Sequence, residues 1–147
     1  MFTGTRYLRQ CHFAMTDLEL HARYVPGTGA DAVFATERAI ASKTMIVPSI
    51  EEDRFLCGFG HIFAGGYSAG YYSYLWAEVL SADAFGAFEE VGLEDEAKVA
   101  ECGKRFADTV LALGGGSAPL DVFTKFRGRE PEVDALLRHN GLVVTAA

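Results

Sequence analysis

Apolar residues in this chain recur at intervals of three and four, and glycine or proline breaks the pattern between the runs. That spacing is the repeat of one helix face, so the chain is constrained toward packed helices. Leu8, Cys11, Met15, Leu18 and Ala22 mark an inward stripe on a first helix from about Thr5 to Tyr24, with Asp17 and Glu19 off the stripe toward solvent. Val25-Pro26-Gly27-Thr28-Gly29 stops it. Asp31 is placed to cap a second helix through Lys43, with Val33, Phe34, Ile40 and Ala41 inward. Glu51 to Phe59 reads as a short helix or turn. A strong helix follows from about Gly70 to Glu89, its apolar stripe being Tyr72, Leu75, Trp76, Val79 and Leu80, and Gly92 ends it.

Glu94, Asp95 and Glu96 open the next helix, where negative charge suits the positive end of the dipole. It runs to about Leu113, before three glycines. Ser117 is a candidate N-cap, and Pro119 fits the first turn of a helix to about Phe126. A turn from Arg127 to Pro131 leads to a last helix, about Glu132 to Asn140, closed by Gly141. The only β-like runs are Met45-Ile46-Val47 and Leu142-Val143-Val144, each short. No linker or repeat divides the sequence, so the expected fold class is all-α, one helical unit over residues 1–147.

Charge and cysteine usage narrow the function classes. The formal net charge is -7, with Lys and Arg scattered, which argues against phosphate-backbone binding and so against nucleic acid as a partner. No apolar run approaches the roughly 20 residues needed to span a bilayer. The N-terminus lacks the apolar core of a signal peptide, and it opens directly in a helical pattern, as a piece of a longer protein would. Cys11, Cys57 and Cys102 form no CxxC pair, so a thiolate metal site is not expected, and the three read as small buried hydrophobes in a reducing compartment.

The most informative stretch lies between Gly58 and Trp76. It holds five glycines in the thirteen residues from Gly58 to Gly70, a single histidine, His61, and four of the chain's six tyrosines between Tyr67 and Tyr74. If helical from about Ser68, the segment puts Tyr71, Tyr74 and Glu78 on one face, apart from the apolar stripe, with Tyr67 at the helix mouth. A phenol donates a hydrogen bond without bringing charge, and losing one such donor to a developing oxyanion costs about 3–4 kcal/mol. A glycine-rich loop can close over an extended peptide. Tyrosines at this spacing serve equally as amphipathic packing, and both readings stand at this level.

Other candidates are weaker. Gly58-x-Gly60 lacks the third glycine and preceding strand of a dinucleotide site, and no lysine completes a phosphate loop. His12 and His21 are nine apart, not four, and His21 with Glu19 reads as helix surface. Arg127 and Arg129 flank a turn and read as a structural ion pair more than a carboxylate site. Cys57 has only His61 nearby in sequence to activate its thiol.

Gly60-His61-Ile62-Phe63-Ala64-Gly65-Gly66-Tyr67-Ser68-Ala69-Gly70-Tyr71-Tyr72-Ser73-Tyr74-Leu75-Trp76-Ala77-Glu78-Val79-Leu80 resembles the C-terminal signature of the M3 family of metallo-oligopeptidases, the thimet-oligopeptidase-like enzymes. Ala82-Asp83-Ala84-Phe85, Phe126-Arg127-Gly128-Arg129-Glu130-Pro131 and Asp17-Leu18-Glu19-Leu20-His21 extend the likeness over about Leu8 to Leu142. The resemblance implies the helical C-terminal portion of a zincin-like catalytic domain that cleaves short peptides inside a channel. It implies catalytic roles for three residues: His61 contacting substrate near the scissile bond, Tyr67 binding substrate as the loop closes, and Tyr74 stabilising the tetrahedral intermediate. Gly65, Gly66 and Tyr71 are carried over as substrate-binding positions.

It also implies Zn2+, held in the family by two histidines of HExxH and a later glutamate. No HExxH stands in this sequence, and no metal ligand is assigned in it. The expectation is a chain that supplies the substrate and oxyanion side, is inactive alone, and pairs with the missing N-terminal part of the enzyme or with itself. The alternative is a non-catalytic helical protein that binds peptides or a partner. An intracellular setting is expected, with cytoplasm, mitochondrion and plastid all open.

Overall fold

A computed structural model describes residues 3–142. In chain order the helices are α1 (Thr3–Ala22), α2 (Ala30–Thr44), α3 (Phe55–Gly58), a 3-10 turn (Gly60–Ile62), α4 (Ser73–Val91), α5 (Glu96–Phe106) running into a π turn (Ala107–Leu111), α6 (Pro119–Arg127) and α7 (Asp134–His139). No strand occurs among the described residues, so the all-α expectation holds. Met45-Ile46-Val47 is bent coil, and Val143 and Val144 lie outside the described residues. Internal contacts gather into two units, Met1–Leu75 and Trp76–Ala147.

The first unit packs Phe13, Leu56, Phe59 and Ile62, with Leu20, Val33, Phe34, Phe55 and Tyr71 around them. Phe13 stacks on Phe55 at 4.8 Å and tilts against Phe59 at 4.9 Å. The inward face of α1 is not the one its apolar spacing predicts. Met15 and Leu18 are exposed, whereas His12, Thr16 and Asp17 are buried beside Phe13 and Ala14. Met15 and Leu18 instead line a groove between α1 and α2 with Ala35, Ala39 and Ile40. His12 and Asp17 can go inside because they are bonded, whereas the Thr16 hydroxyl is buried with no hydrogen-bond partner among the described residues. His12 meets Thr44 Oγ1 at 3.1 Å through Nδ1 and Glu37 at 2.9 Å through Nε2, tying α1 to α2. Thr44 spends its own proton on the Ile40 carbonyl. Burial lowers the His12 pKa, and the Glu37 carboxylate works against that.

Two caps also differ from expectation. Asp31 lies in the first turn of α2, while the N-cap is Gly29 at φ 100. Ala118, not Ser117, precedes α6, with Pro119 in its first turn. Asp95 does cap α5, accepting the Lys98 N–H at 3.2 Å. The helix that follows widens at Ala107–Leu111, where the Ala112 N–H reaches the Ala107 carbonyl five residues back at 2.8 Å.

The second unit packs Ala87, Cys102 and Phe126, with Ala84, Phe88, Val91, Phe106 and Val110 against them. On α4 the buried positions are Ala82, Asp83, Gly86 and Ala87, while Trp76, and Tyr72 just before the helix, stay about half exposed, so the bulky stripe does not form the core face. Small residues let the neighbouring chain approach closely, and Asp83 organises it. Its carboxylate accepts from Arg127 Nε at 3.1 Å, from both Arg129 terminal nitrogens at 2.7 Å, and from the Glu132 N–H at 2.8 Å. Arg127 also makes a paired contact with Glu90 at 2.7 and 2.9 Å. The turn at Arg127–Arg129 needs Gly128, which sits at φ 77. The arginines are therefore a structural ion pair, as their sequence suggests.

Burial pushes the Asp83 carboxyl upward, but Arg129, the Glu132 amide and Arg127 together hold it below its ordinary value. A depressed carboxyl contributes stability that is complete above its unfolded pKa and fades as pH falls through the folded one. Replacing Asp83 by alanine leaves Arg127 with a side chain only 4% exposed and without its inner partner. We expect a loss of about 3 kcal/mol in urea unfolding at neutral pH, the low end for breaking a buried pair because Glu90 remains. A loss under about 1 kcal/mol would mean the cluster is not holding the unit together.

Candidate functional site

The cluster of tyrosines forms where the chain passes from the 3-10 turn into α4. Ile62 is fully buried and pins that turn into the first core, which leaves its neighbour His61 on the exposed side. The following loop folds back on the turn. The Gly65 N–H donates to the Gly60 carbonyl at 2.8 Å and the Tyr67 N–H to the His61 carbonyl at 3.0 Å. Ser68 Oγ donates to the Ile62 carbonyl at 2.7 Å.

This closeness explains the glycines. A Cβ at position 65 would lie 2.8 Å from His61 Cα, and Gly66 has φ 83. The two meet geometric demands of the fold-back, whereas Gly58 and Gly60 face open space.

A ladder of rings runs outward from the core through this loop. Phe13 touches Phe59, Phe59 meets Tyr71 edge-on at 5.2 Å, Tyr71 meets Tyr74 at 5.1 Å, and Tyr74 meets Tyr67 at 5.0 Å. His61 lies 6.1 Å from both Tyr67 and Tyr71. The structure thus brings together His61, Tyr67, Tyr71 and Tyr74. Tyr71 precedes α4, which starts at Ser73, yet its ring still reaches Tyr74. Its hydroxyl donates to Gln10 Oε1 at 3.1 Å, and burial raises its pKa. Tyr71 therefore backs the cluster, and Tyr67 and Tyr74, each more than a third exposed, form its open face.

Tyr74 is pushed up to about 12, first by its hydrogen bond with Tyr67 and then by desolvation. A phenol so held keeps its proton throughout the neutral range and remains a donor.

The main residue that sequence reasoning missed is Asp17. Expected to face solvent, it is fully buried. Oδ1 accepts the Ala69 N–H and Oδ2 the Tyr71 N–H, both at 2.9 Å. His21 Nδ1 stands 2.9 Å from Oδ1, so His21 pairs with Asp17 while Glu19 pairs with Arg23. The available signal was the i,i+4 spacing of Asp17 and His21, together with their place on the His12–Phe13–Thr16 side of α1.

The other candidates stay apart from the cluster's chemistry. His12 is locked between Thr44 and Glu37. Of the cysteines only Cys102 is buried, and Cys57 is exposed, against the expectation of three buried ones. Among the described residues no three His, Cys, Asp or Glu side chains gather as a metal site would require, and no helix is long and apolar enough to cross a membrane.

Residues 1–142 match the family model described as Peptidase family M3. The chain is 60% identical over 144 residues to a probable cytosolic oligopeptidase A of Arabidopsis thaliana, covering 98% of this chain and 20% of that protein. It is also 60% identical over 144 residues to the organellar oligopeptidase A, chloroplastic/mitochondrial, of the same plant, covering 98% of this chain and 18% of the relative. Oligopeptidase A of Escherichia coli (strain K12) is 49% identical over 135 residues, covering 92% of this chain and 19% of its own length. The chain thus spans about a fifth of the length of these curated relatives.

Two measurements check the geometry. Ultraviolet titration of the tyrosines should find one phenol ionising near 12, and Tyr67→Phe should bring it down toward the ordinary value; an unchanged titration would rule out the Tyr67–Tyr74 bond. Gly65→Ala should lower the unfolding midpoint by the equivalent of about 1–3 kcal/mol, because backbone must shift to admit the methyl group. Gly58→Ala, facing open space, should cost under about 1 kcal/mol.

Proposed function

The chain belongs to peptidase family M3, and from that premise we propose that it supplies the substrate-facing side of an oligopeptidase site that hydrolyses short peptides. His61 contacts the peptide near the bond to be cut. Tyr67 binds the peptide backbone. Tyr74 donates to the carbonyl oxygen as it gains negative charge, and Gly65, Gly66 and Tyr71 line the approach.

One observation carries this reading: two half-open phenol rings in contact, 5.0 Å between centroids, beside an exposed histidine, on a base of core aromatics. Preset donors stabilise a developing oxyanion without reorganising during the reaction.

In the whole enzyme zinc would supply an activated water for the attack. HExxH does not occur in the sequence, and no cluster of three His, Cys, Asp or Glu gathers among the described residues. We assign the metal ligands and general base to the remaining portion of a family M3 enzyme. The proposed partner is that remaining portion, and the chain alone is not expected to turn over. Relatives named as cytosolic and as chloroplastic/mitochondrial support an intracellular setting without choosing between compartments.

A second reading is a helical protein that binds peptides or a partner without catalysis. It is favoured by large side chains left in the open, such as Phe63, Tyr72 and Trp76, each about half exposed.

The purified chain with added zinc is mixed with an internally quenched short peptide, with a chelator control. Peptide binding is followed by NMR in parallel. The expected result is no hydrolysis, shifts at His61, Tyr67 and Tyr74, and roughly threefold to tenfold weaker binding in Tyr74→Phe, the worth of one hydrogen bond. Chelator-sensitive hydrolysis would mean the chain builds its own metal site. Absence of any peptide-induced shift would overturn the substrate-facing role.

A further inference from the structure

Between Tyr67 and Tyr74, whose rings meet at 5.0 Å, lies a short turn, and its conformation is unusual. Ala69 has φ 54, the only positive φ at a non-glycine position among the described residues. An L-alanine rarely adopts that geometry unless its surroundings enforce it. The turn holds itself partly, through the Gly70 N–H to the Tyr67 carbonyl at 2.9 Å and the Ser73 N–H to the Gly70 carbonyl at 3.1 Å. Those bonds leave the Ala69 and Tyr71 N–H groups pointing elsewhere. Alternate N–H groups around a left-handed residue form a concavity that takes an anion. Here the anion comes from within the fold, as Asp17 fills it with one oxygen on each N–H.

We propose that Asp17 is the positioning residue of the His61–Tyr67–Tyr74 cluster, its carboxylate clamping the left-handed turn that sets where the two exposed phenols stand. It acts through backbone and touches no ligand itself. Tyr67 lies two residues before Ala69, and Tyr74 three after Tyr71, so a rotation of this turn moves both rings. His21 is the third member of the arrangement. Its Nδ1 lies 2.8 Å from the Asp17 carbonyl and 2.9 Å from Oδ1, steadying the carboxylate in the rotamer that faces the turn. Asparagine at this position would keep the shape but not the chemistry, because one of the two N–H groups would face an amide NH2. The importance of the clamp for peptide handling rests on the function proposed above. The clamp itself does not.

The test uses the whole chain without peptide. By NMR hydrogen exchange, the Ala69 and Tyr71 amides should be protected together. Free exchange of both in the unaltered chain would overturn the proposal, even if no Asp17 variant folds. In Asp17→Asn, exchange at both amides should rise at least tenfold, and the Tyr74 titration should fall from about 12 toward an ordinary phenol. A folded variant with that titration unmoved would overturn it. Adding Ala69→Gly to Asp17→Asn removes the backbone strain and should bring the Tyr74 titration back up. A purely structural role for Asp17 predicts no such recovery, so its absence in a folded double variant also counts against the clamp. Peptide binding is measured last. Failure of the unaltered chain to bind removes the functional reading and leaves the exchange and titration results to decide the clamp. Equal binding by Asp17→Asn and the unaltered chain sinks the clamp's part in recognition.

Discussion

Asp17 reaches from α1 to a turn more than fifty residues further along the chain and meets it with both carboxylate oxygens. Few side chains can do this. The group must be short enough to remain inside, must accept from two donors at once, and must be kept from water so that nothing competes for the N–H groups. Once it is in place, the Ala69 backbone is committed to a conformation it would otherwise avoid. Phe59 and Ile62, from the chain just before the glycine loop, enter the same aromatic core as Phe13, four residues before Asp17. The grip and the core therefore support one another. Neither would be well defined if the loop were free to slide along α1.

The second unit uses a buried aspartate too, on different partners. Asp83 gathers two guanidinium groups and one N–H, and it stabilises a turn that Gly128 makes possible. The contrast is instructive. A carboxylate bonded to arginines is held by strong, charge-assisted contacts that tolerate some movement of the long side chains. A carboxylate bonded to backbone N–H groups fixes main chain directly, with no side chain on the other side to absorb error. The stiffer of the two devices lies beside the tyrosine cluster.

The helices and their ends were largely legible in the sequence, because spacing of apolar residues and the placement of Gly and Pro are local signals. Gly92, Gly128 and Gly141 all close elements at positive φ, as helix-terminal glycines do. The signature of His61, Tyr67 and Tyr74 was legible through its likeness to the M3 family, and the cluster those residues form is what the fold brings together. The inward face of α1 was not legible. Its apolar stripe points to Met15 and Leu18, but the chain buries His12, Thr16 and Asp17 in that position. Periodicity cannot weigh a polar side chain whose partners lie far along the chain, in Glu37, Thr44, Ala69 and Tyr71. The same failing moved the core face of α4 from its bulky residues to Ala82, Asp83, Gly86 and Ala87.

The open face of the tyrosine cluster offers hydroxyls in place of formal charges. A carbonyl held by phenols loses nothing to an ionic atmosphere, since screening acts on charges and hardly on a short contact between neutral groups. Attraction to such a face would have the same strength in dilute buffer and in concentrated salt. Under the proposed role, a surface of this kind would sort its ligands by the exposed backbone they present, which an unfolded stretch of almost any composition offers.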